Sequence, residues 1–277
     1  NFIAFHVIYL YTQFPCVYVL KFLLILQEVF VMNHKQASFT VNGAVMTVTI
    51  DNPDTKNGLD WVGINQFADC YEYASAHPEI KVIVVTGNER YFYTGGRVNA
   101  KNPGEKEKYA DAIERLTTLQ DSCTTPLVAA VSGDCMKAGM GLLASSDFAV
   151  ACDDVKFCFP ETRMGGAPMM VMAETINCMS PKRGLEAYLT SWEYTAQQAY
   201  AMGYLNAVVP RSEFDATVQK YVDVLLNTPE TIVRQVRSAY SRMAAVNTLK
   251  ERRNIAMQML REDVLVSMVN AKTNYNV

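Results

Sequence analysis

Two unbroken apolar runs constrain this chain more than any other feature: "IKVIVVT" at 80–86 and "PLVAAVSG" at 126–133. A strand with solvent on one face alternates apolar and polar residues. A run without polar breaks suits a strand buried on both faces, as in the middle of a parallel sheet. Parallel neighbours need a crossover, usually a helix. The segment between the runs supplies a charged loop and then an amphipathic helix over roughly 104–121. The same alternation continues on either side. "SFTV" and "AVMTVTI" read as strands of a hairpin broken at Asn42-Gly43. "NPDTKNG" is a turn-rich loop, and residues 59–76 place Trp61, Ile64, Phe67, Ala68 and Tyr71 at helical spacing. A Gly-interrupted helix runs to about Ser146, followed by strands at "DFAVAC" (147–152) and "VKFCF" (155–159). From Pro168 onward the pattern is mostly helical, with one short strand at 206–210. Strands alternating with helices predict an α/β fold with right-handed crossovers. The helical last third suits a cap or an oligomerisation lobe.

Composition excludes several function classes. The chain has 277 residues, 50% hydrophobic and 19% charged, which is enough to bury a full core. Its net charge is −3, and no basic block interleaves with aromatics, so nucleic acid is not an expected partner. Seven scattered Cys without a CxxC, and only three His, argue against a metal site and for free thiols in a reducing, cytoplasmic setting. Residues 1–31 are almost continuously apolar. A membrane anchor would be interrupted by Pro15, Lys21 and Glu28, and a signal peptide would lack its basic start and small-residue cleavage site. The segment is expected to be upstream sequence joined to a start at Met32, outside the fold. The expected organisation is therefore an N-terminal extension (1–31), an α/β core (32–210) and a helical C-terminal region (211–277). No membrane contact is expected of the folded core.

Three segments carry residues suited to chemistry. Gly95-Gly96 follows a strand without forming GxGxxG or GxxxxGK[ST]. The pair is either a plain tight turn or a place where backbone N–H groups meet a ligand. In "SGDCMKAGMGLLASSD" (132–147) a helix starts near Lys137-Ala138-Gly139. Its free N–H groups suit an oxygen that gains negative charge; close helix–strand packing is the other reading. In "FCFPETRMGGAP" (157–168), Glu161 is either a proton carrier raised by apolar surroundings or a carboxylate that favours a helix N-terminus. Two strand-end loops with N–H donors, followed by a carboxylate, make a parts list for stabilising an enolate beside a thioester carbonyl. Six methionines (136, 140, 164, 169, 170, 172) surround these segments and read as core or helix-face packing, with a flexible acyl pocket as the alternative.

The ordered set "NPDTKNGL" (52–59), "IKVIVVTGNERYFYTGG" (80–96), "PLVAAVSGDCMKAGMGLLASSDFAVAC" (126–152), "KFCFPETRMGGAP" (156–168) and "YTAQQAYAMGYLNAVVP" (194–210) resembles the crotonase family, the enoyl-CoA hydratase/isomerase superfamily. The resemblance runs from Ser38 to the C-terminal helices. It implies a spiral of ββα units with a helical C-terminal trimerisation region, hence a homotrimer or hexamer. It implies an acyl-CoA thioester substrate, with coenzyme A as part of the substrate and no separate cofactor. The thioester oxygen would be held by the N–H groups of Gly96 and Ala138, with Gly95 forming the turn. Lys56, Asn57 and Gly58 would receive the adenine end of coenzyme A. Glu161 matches one of the two glutamates of family hydratases. Gly141 stands where the other is expected, and Arg97 replaces the usual Asp after the Gly pair. Arg97 is then either a solvated cation or a contact to a coenzyme A phosphate or substrate carboxylate. Asp134 and Tyr93 are candidates to compensate for Gly141. Hydration and double-bond isomerisation stay level as expected activities. Acyl-CoA decarboxylation, other enolate chemistry and a non-catalytic acyl-CoA-binding subunit are the alternatives.

Overall fold

The computed structural model describes residues 30–32, 36–99 and 101–261. Two sheets organise them. The larger contains, in spatial order, β1 (Phe30–Met32), β2 (Ala37–Asn42), β3 (Val45–Ile50), β4 (Val82–Thr86), β6 (Leu127–Val131), β8 (Phe148–Cys152) and β11 (Ala207–Val209). β1, β2 and β3 pair antiparallel, with β2 and β3 joined at Asn42–Val45. From β3 to β11 every pairing is parallel. The unbroken apolar runs are the central strands β4 and β6, and all five residues of β6 are buried. Of the apolar extension 1–31, residues 1–29 lie outside the described residues, and Phe30 and Val31 belong to β1.

The smaller sheet has the order β10 (Glu193–Thr195), β9 (Lys156–Cys158), β7 (Asp134–Met136) and β5 (Tyr91–Tyr93). The sequence pattern predicts β9 but reads 134–136 as loop and 193–195 as part of a helical region. These strands are three residues long, too short to display a period of two. Their place is set by pairing across the fold, Cys135 opposite Phe157 and Tyr194 opposite Phe157.

The two sheets are woven by one repeated unit. β4, β5 and α2 (Pro103–Ser122) form the first; β6, β7 and α3 (Ala138–Ser145) the second; β8, β9 and α4 (Met169–Thr175) the third. In each, the first strand enters the larger sheet, the second enters the smaller, and a helix returns the chain. α1 (Trp61–Ala76) precedes them and packs against α2; Asp60 caps it by accepting from the N–H groups of Val62 and Gly63. Phe39, Phe67, Phe92, Phe157, Phe159, Met46 and Met140 are among the largest fully buried side chains. The remaining helices are α5 (Pro181–Thr190), α6 (Ala196–Met202), α7 (Arg211–Asn227), α8 (Glu230–Ala244) and α9 (Leu249–Met259). α8 and α9 bury no residue completely, although α8 is strongly amphipathic. Six described cysteines are free thiols, five of them buried. No helix among the described residues is long and apolar enough to cross a membrane.

Candidate active site

The ends of β5 and β7 lie side by side, which brings two distant sequence segments together. After β5, Gly96 forms a parallel bridge with Leu59. Leu59 N–H donates to Gly95 O (3.1 Å) and Arg97 N–H donates to Leu59 O (2.7 Å). In that pattern the central residue turns its own N–H away from the bridge partner, so the Gly96 N–H faces the other side. The start of α3 packs against the preceding residue, Gly95. Gly95 has φ +86°, and a Cβ on it would come within 3.1 Å of Ala138 N. Glycine is required there by both conformation and space. Ala138 is the first residue of α3, so its N–H has no acceptor within the helix and lies at the positive end of the dipole.

The residue before it, Lys137, holds φ 53° and ψ −124° and donates its N–H to Cys158 O. A non-glycine residue in that region stores about 1–3 kcal/mol. Lys137→Gly is expected to raise the unfolding free energy by about 1 kcal/mol, after subtracting roughly 0.5–1 kcal/mol for the greater freedom of unfolded glycine. Denaturant midpoints check this, with Lys137→Ala as the control that keeps the strain and gains nothing.

Glu161 follows β9 and opens a single turn of 3-10 helix, Thr162–Met164. That turn is pinned: Thr162 Oγ1 donates to Tyr188 O (2.6 Å) and Arg163 N–H donates to Ser191 Oγ (3.2 Å). Glu161 is half-buried, and its Oε2 is buried without a hydrogen-bond partner. Burial pushes its carboxyl above the usual carboxylate range; its own backbone N–H and the Lys137 ammonium pull the other way. A carboxylate with one uncommitted oxygen and a raised affinity for protons is equipped to move a proton.

Gly141 lies one turn beyond Ala138 on α3 and is fully buried. A Cβ at this position would fall on the carboxylate of Glu174 from α4. At Gly96 a Cβ would fall on the hydroxyl of Tyr109 from α2. Sequence reasoning missed both side chains. Glu174 lies outside every segment that carries the resemblance, and Tyr109 sits in an otherwise ordinary amphipathic helix. The candidates considered as substitutes are placed differently. Asp134 Oδ1 accepts the N–H of Lys156 (2.9 Å) at the start of β9. Tyr93 is buried with its ring edge toward Phe67, close enough to interact with Tyr109 and Glu174.

The Lys56–Gly58 loop joins the same neighbourhood. Thr94 Oγ1 donates to Lys56 O (2.8 Å), and Arg97 lays its aliphatic stem on Gly58. Lys56 and Arg97 are exposed, so two cations share one rim of the site. Asn57 is 0% exposed, and its amide is committed to the backbone of Ile50, Tyr91 and Phe92. Its side chain holds the loop rather than facing solvent. Of the methionines, Met140 is core, whereas Met164, Met169 and Met170 are exposed, against the packing expected of them. No group of three His, Cys, Asp or Glu among the described residues is placed to hold a metal ion.

The model of the enoyl-CoA hydratase/isomerase family matches residues 40–270. A (7aS)-7a-methyl-1,5-dioxo-2,3,5,6,7,7a-hexahydro-1H-indene-carboxyl-CoA hydrolase from Rhodococcus jostii is 27% identical over 210 residues, covering 73% of this chain and 79% of the relative. A carnitinyl-CoA dehydratase from Salmonella typhi is 26% identical over 207 residues, covering 73% and 78%. Among solved structures, an enoyl-CoA hydratase from Mycobacterium smegmatis superposes with a TM-score of 0.77 at 18% identity, over 86% of this chain and 96% of that one. Human enoyl Coenzyme A hydratase domain-containing protein 3 gives 0.76 at 18%, over 87% and 100%. The structural likenesses bear out the crotonase fold, and the family match covers most of the sequence. The chain belongs to the enoyl-CoA hydratase/isomerase, or crotonase, family.

Proposed function

We propose that this protein transfers a proton at the carbon beside the thioester carbonyl of an acyl-CoA, through an enolate. The observation that carries this reading is the convergence of two strand ends: Gly96 turns its N–H away from its bridge partner, and Ala138 offers the free N–H of a helix start. Two such donors stabilise an oxygen that becomes an oxyanion, typically by about 3 kcal/mol each in the barrier. Glu161 is the acid/base, and its unpartnered Oε2 is the atom that takes or returns the proton. Coenzyme A phosphates fall to Lys56 and Arg97, both exposed on one rim. Coenzyme A belongs to the substrate, and the chemistry asks for no further cofactor.

The reaction is of the hydratase/isomerase kind. A substrate panel with product mass analysis tests it: crotonyl-CoA, 3-hydroxybutyryl-CoA and a 3-enoyl-CoA, each in ordinary and heavy water. Gain or loss of water reports hydration or dehydration, and an unchanged mass with a shifted double bond reports isomerisation. Binding of these esters without any turnover or α-deuterium incorporation would overturn the enolate reading and leave a non-catalytic acyl-CoA binder.

The C-terminal helices are assigned to self-association as a homotrimer or hexamer. Support comes from the exposed apolar residues of α8, Val236 at 62% and Tyr240 at 77%. The free thiols suit a reducing, cytoplasmic compartment.

A further inference from the structure

We propose that Glu174, reaching in from α4, supplies a second catalytic carboxylate in the space left open by Gly141. This rests on the enolate reading above. The geometry is specific. Ala138 and Gly141 are three residues apart on α3, on one face and about 4.5 Å apart along the axis. Gly141 is fully buried and has no side chain, and the place its Cβ would take is filled by the Glu174 carboxylate. The carboxylate therefore sits one helical turn from the N–H assigned to the thioester oxygen. In this proposal the β-carbon of the acyl chain lies beside this carboxylate. Glu161 belongs to the same neighbourhood: the segment before it is tied to the start of α3 through the Lys137 N–H to Cys158 O bond, and its carboxyl feels the Lys137 charge.

Glu174 as a residue is exposed, yet its carboxylate end rests against α3. That burial, with a smaller contribution from the charge of Asp121, pushes its pKa up to about 7. The groups facing it are few. Asp121 comes from α2, and Tyr93 of β5 lies near enough to feel both Glu174 and Tyr109 of α2. α3 (AGMGLLAS) presents no ionisable side chain. At neutral pH Glu174 is thus partly protonated. Burial raises Glu161 as well, but its own backbone N–H and the Lys137 ammonium oppose that rise. A paired base and acid of this kind fits dehydration of a 3-hydroxyacyl-CoA. Glu161 takes the α-proton, and the C–H electrons pass through the enolate to form the Cα–Cβ double bond. The Cβ–O bond breaks, and Glu174 gives its proton to the departing hydroxyl, which leaves as water. Glu161 then returns its proton to solvent and Glu174 regains one. Hydration is the reverse.

The test separates the two carboxylates. α-Hydrogen exchange of butyryl-CoA in heavy water needs only the N–H donors and Glu161. Dehydration of 3-hydroxybutyryl-CoA needs Glu174 as well. Glu174→Gln is expected to slow dehydration at least 100-fold and exchange less than about 5-fold, whereas Glu161→Gln loses both. In the wild type, dehydration kcat should fall as pH rises through about 7, with no such fall in exchange and no such limb in Glu174→Gln. The variant should also be more stable than wild type. The folded pKa lies above the ordinary 4.5, so ionisation removes stability from the wild type between about pH 4.5 and 7, a loss that Gln escapes. Dehydration within 3-fold of wild type in Glu174→Gln, or the same descending limb in that variant, overturns the proposal. Should the variant not fold, a wild-type profile without the limb does so. Absence of exchange in the wild type overturns the enolate reading, and this inference with it.

Discussion

Glu161→Gln is expected to lower the rate of α-proton transfer on an acyl-CoA by about 10³-fold while leaving affinity for coenzyme A esters nearly unchanged. General acid–base catalysis contributes typically 10²–10⁴-fold, so a loss of about 4 kcal/mol from the barrier lies in its middle range. The substitution keeps the shape of the side chain and removes its charge. The buried Oε2 makes no hydrogen bond in the fold, so no native contact of that oxygen is broken. Burial raises the wild-type carboxyl, which makes an uncharged amide easier to accommodate than the carboxylate. Folding stability should therefore hold or rise, and the loss should appear in kcat rather than KM. The sign of the pH dependence follows from the same shift. Glu161 must be ionised to take a proton, so wild-type exchange should increase as pH rises through its raised pKa. In the variant that rising limb should vanish. Full-rate exchange by Glu161→Gln would remove the residue from its assigned role.

How much of this was legible in the sequence depended on length and on sequence distance. β4 and β6 are five-residue runs without a polar break, and such runs declare themselves. β5, β7 and β10 are three residues each, and "DCM" or "EYT" carries no strand pattern of its own. Tertiary pairing decides them, so the smaller sheet was visible only in space. The site divides in the same way. Gly96, Ala138 and Glu161 lie in contiguous motifs whose order could be read along the chain. Read locally, Gly141 looked like the loss of a carboxylate. In the fold the same absence of a side chain makes room for Glu174, thirty-three residues on. Removing a group is visible at one position, whereas replacing it from a neighbouring helix is a property of two.

Asn57→Ala is expected to be the most damaging single substitution to the fold around the site, costing about 4 kcal/mol or more. The Asn57 Nδ2 donates to Ile50 O (2.8 Å), Tyr91 O (2.7 Å) and, at 3.3 Å, Phe92 O. Its Oδ1 accepts the Asn52 N–H (2.9 Å) and the Asn88 Nδ2 (3.1 Å). One fully buried amide thus ties the end of β3, the strand β5 and two loops. Alanine removes every one of these bonds; Tyr91 O keeps the Asn88 N–H as a donor (2.9 Å), and each buried polar group left without a partner costs about 1–3 kcal/mol. The backbone adds to the loss, because Asn57 has φ +57°, a region asparagine tolerates better than alanine. Against a total stability of about 5–15 kcal/mol, such a loss leaves little margin. Thermal melting should drop by roughly 10 °C, taking about 2–4 °C per kcal/mol for a chain of this size. Asn57→Asp should fare no better, since a carboxylate in place of the amide would face the same carbonyls with no donor. Lys56→Ala is the contrast. Its side chain is exposed, so it should weaken binding of coenzyme A esters with little change in melting. The two neighbours would then divide by mechanism: Lys56 acts on the ligand directly. Asn57 acts by holding Tyr91 and Phe92, and through them the turn that aims the Gly96 N–H. A melting change below about 2 °C for Asn57→Ala would refute that division.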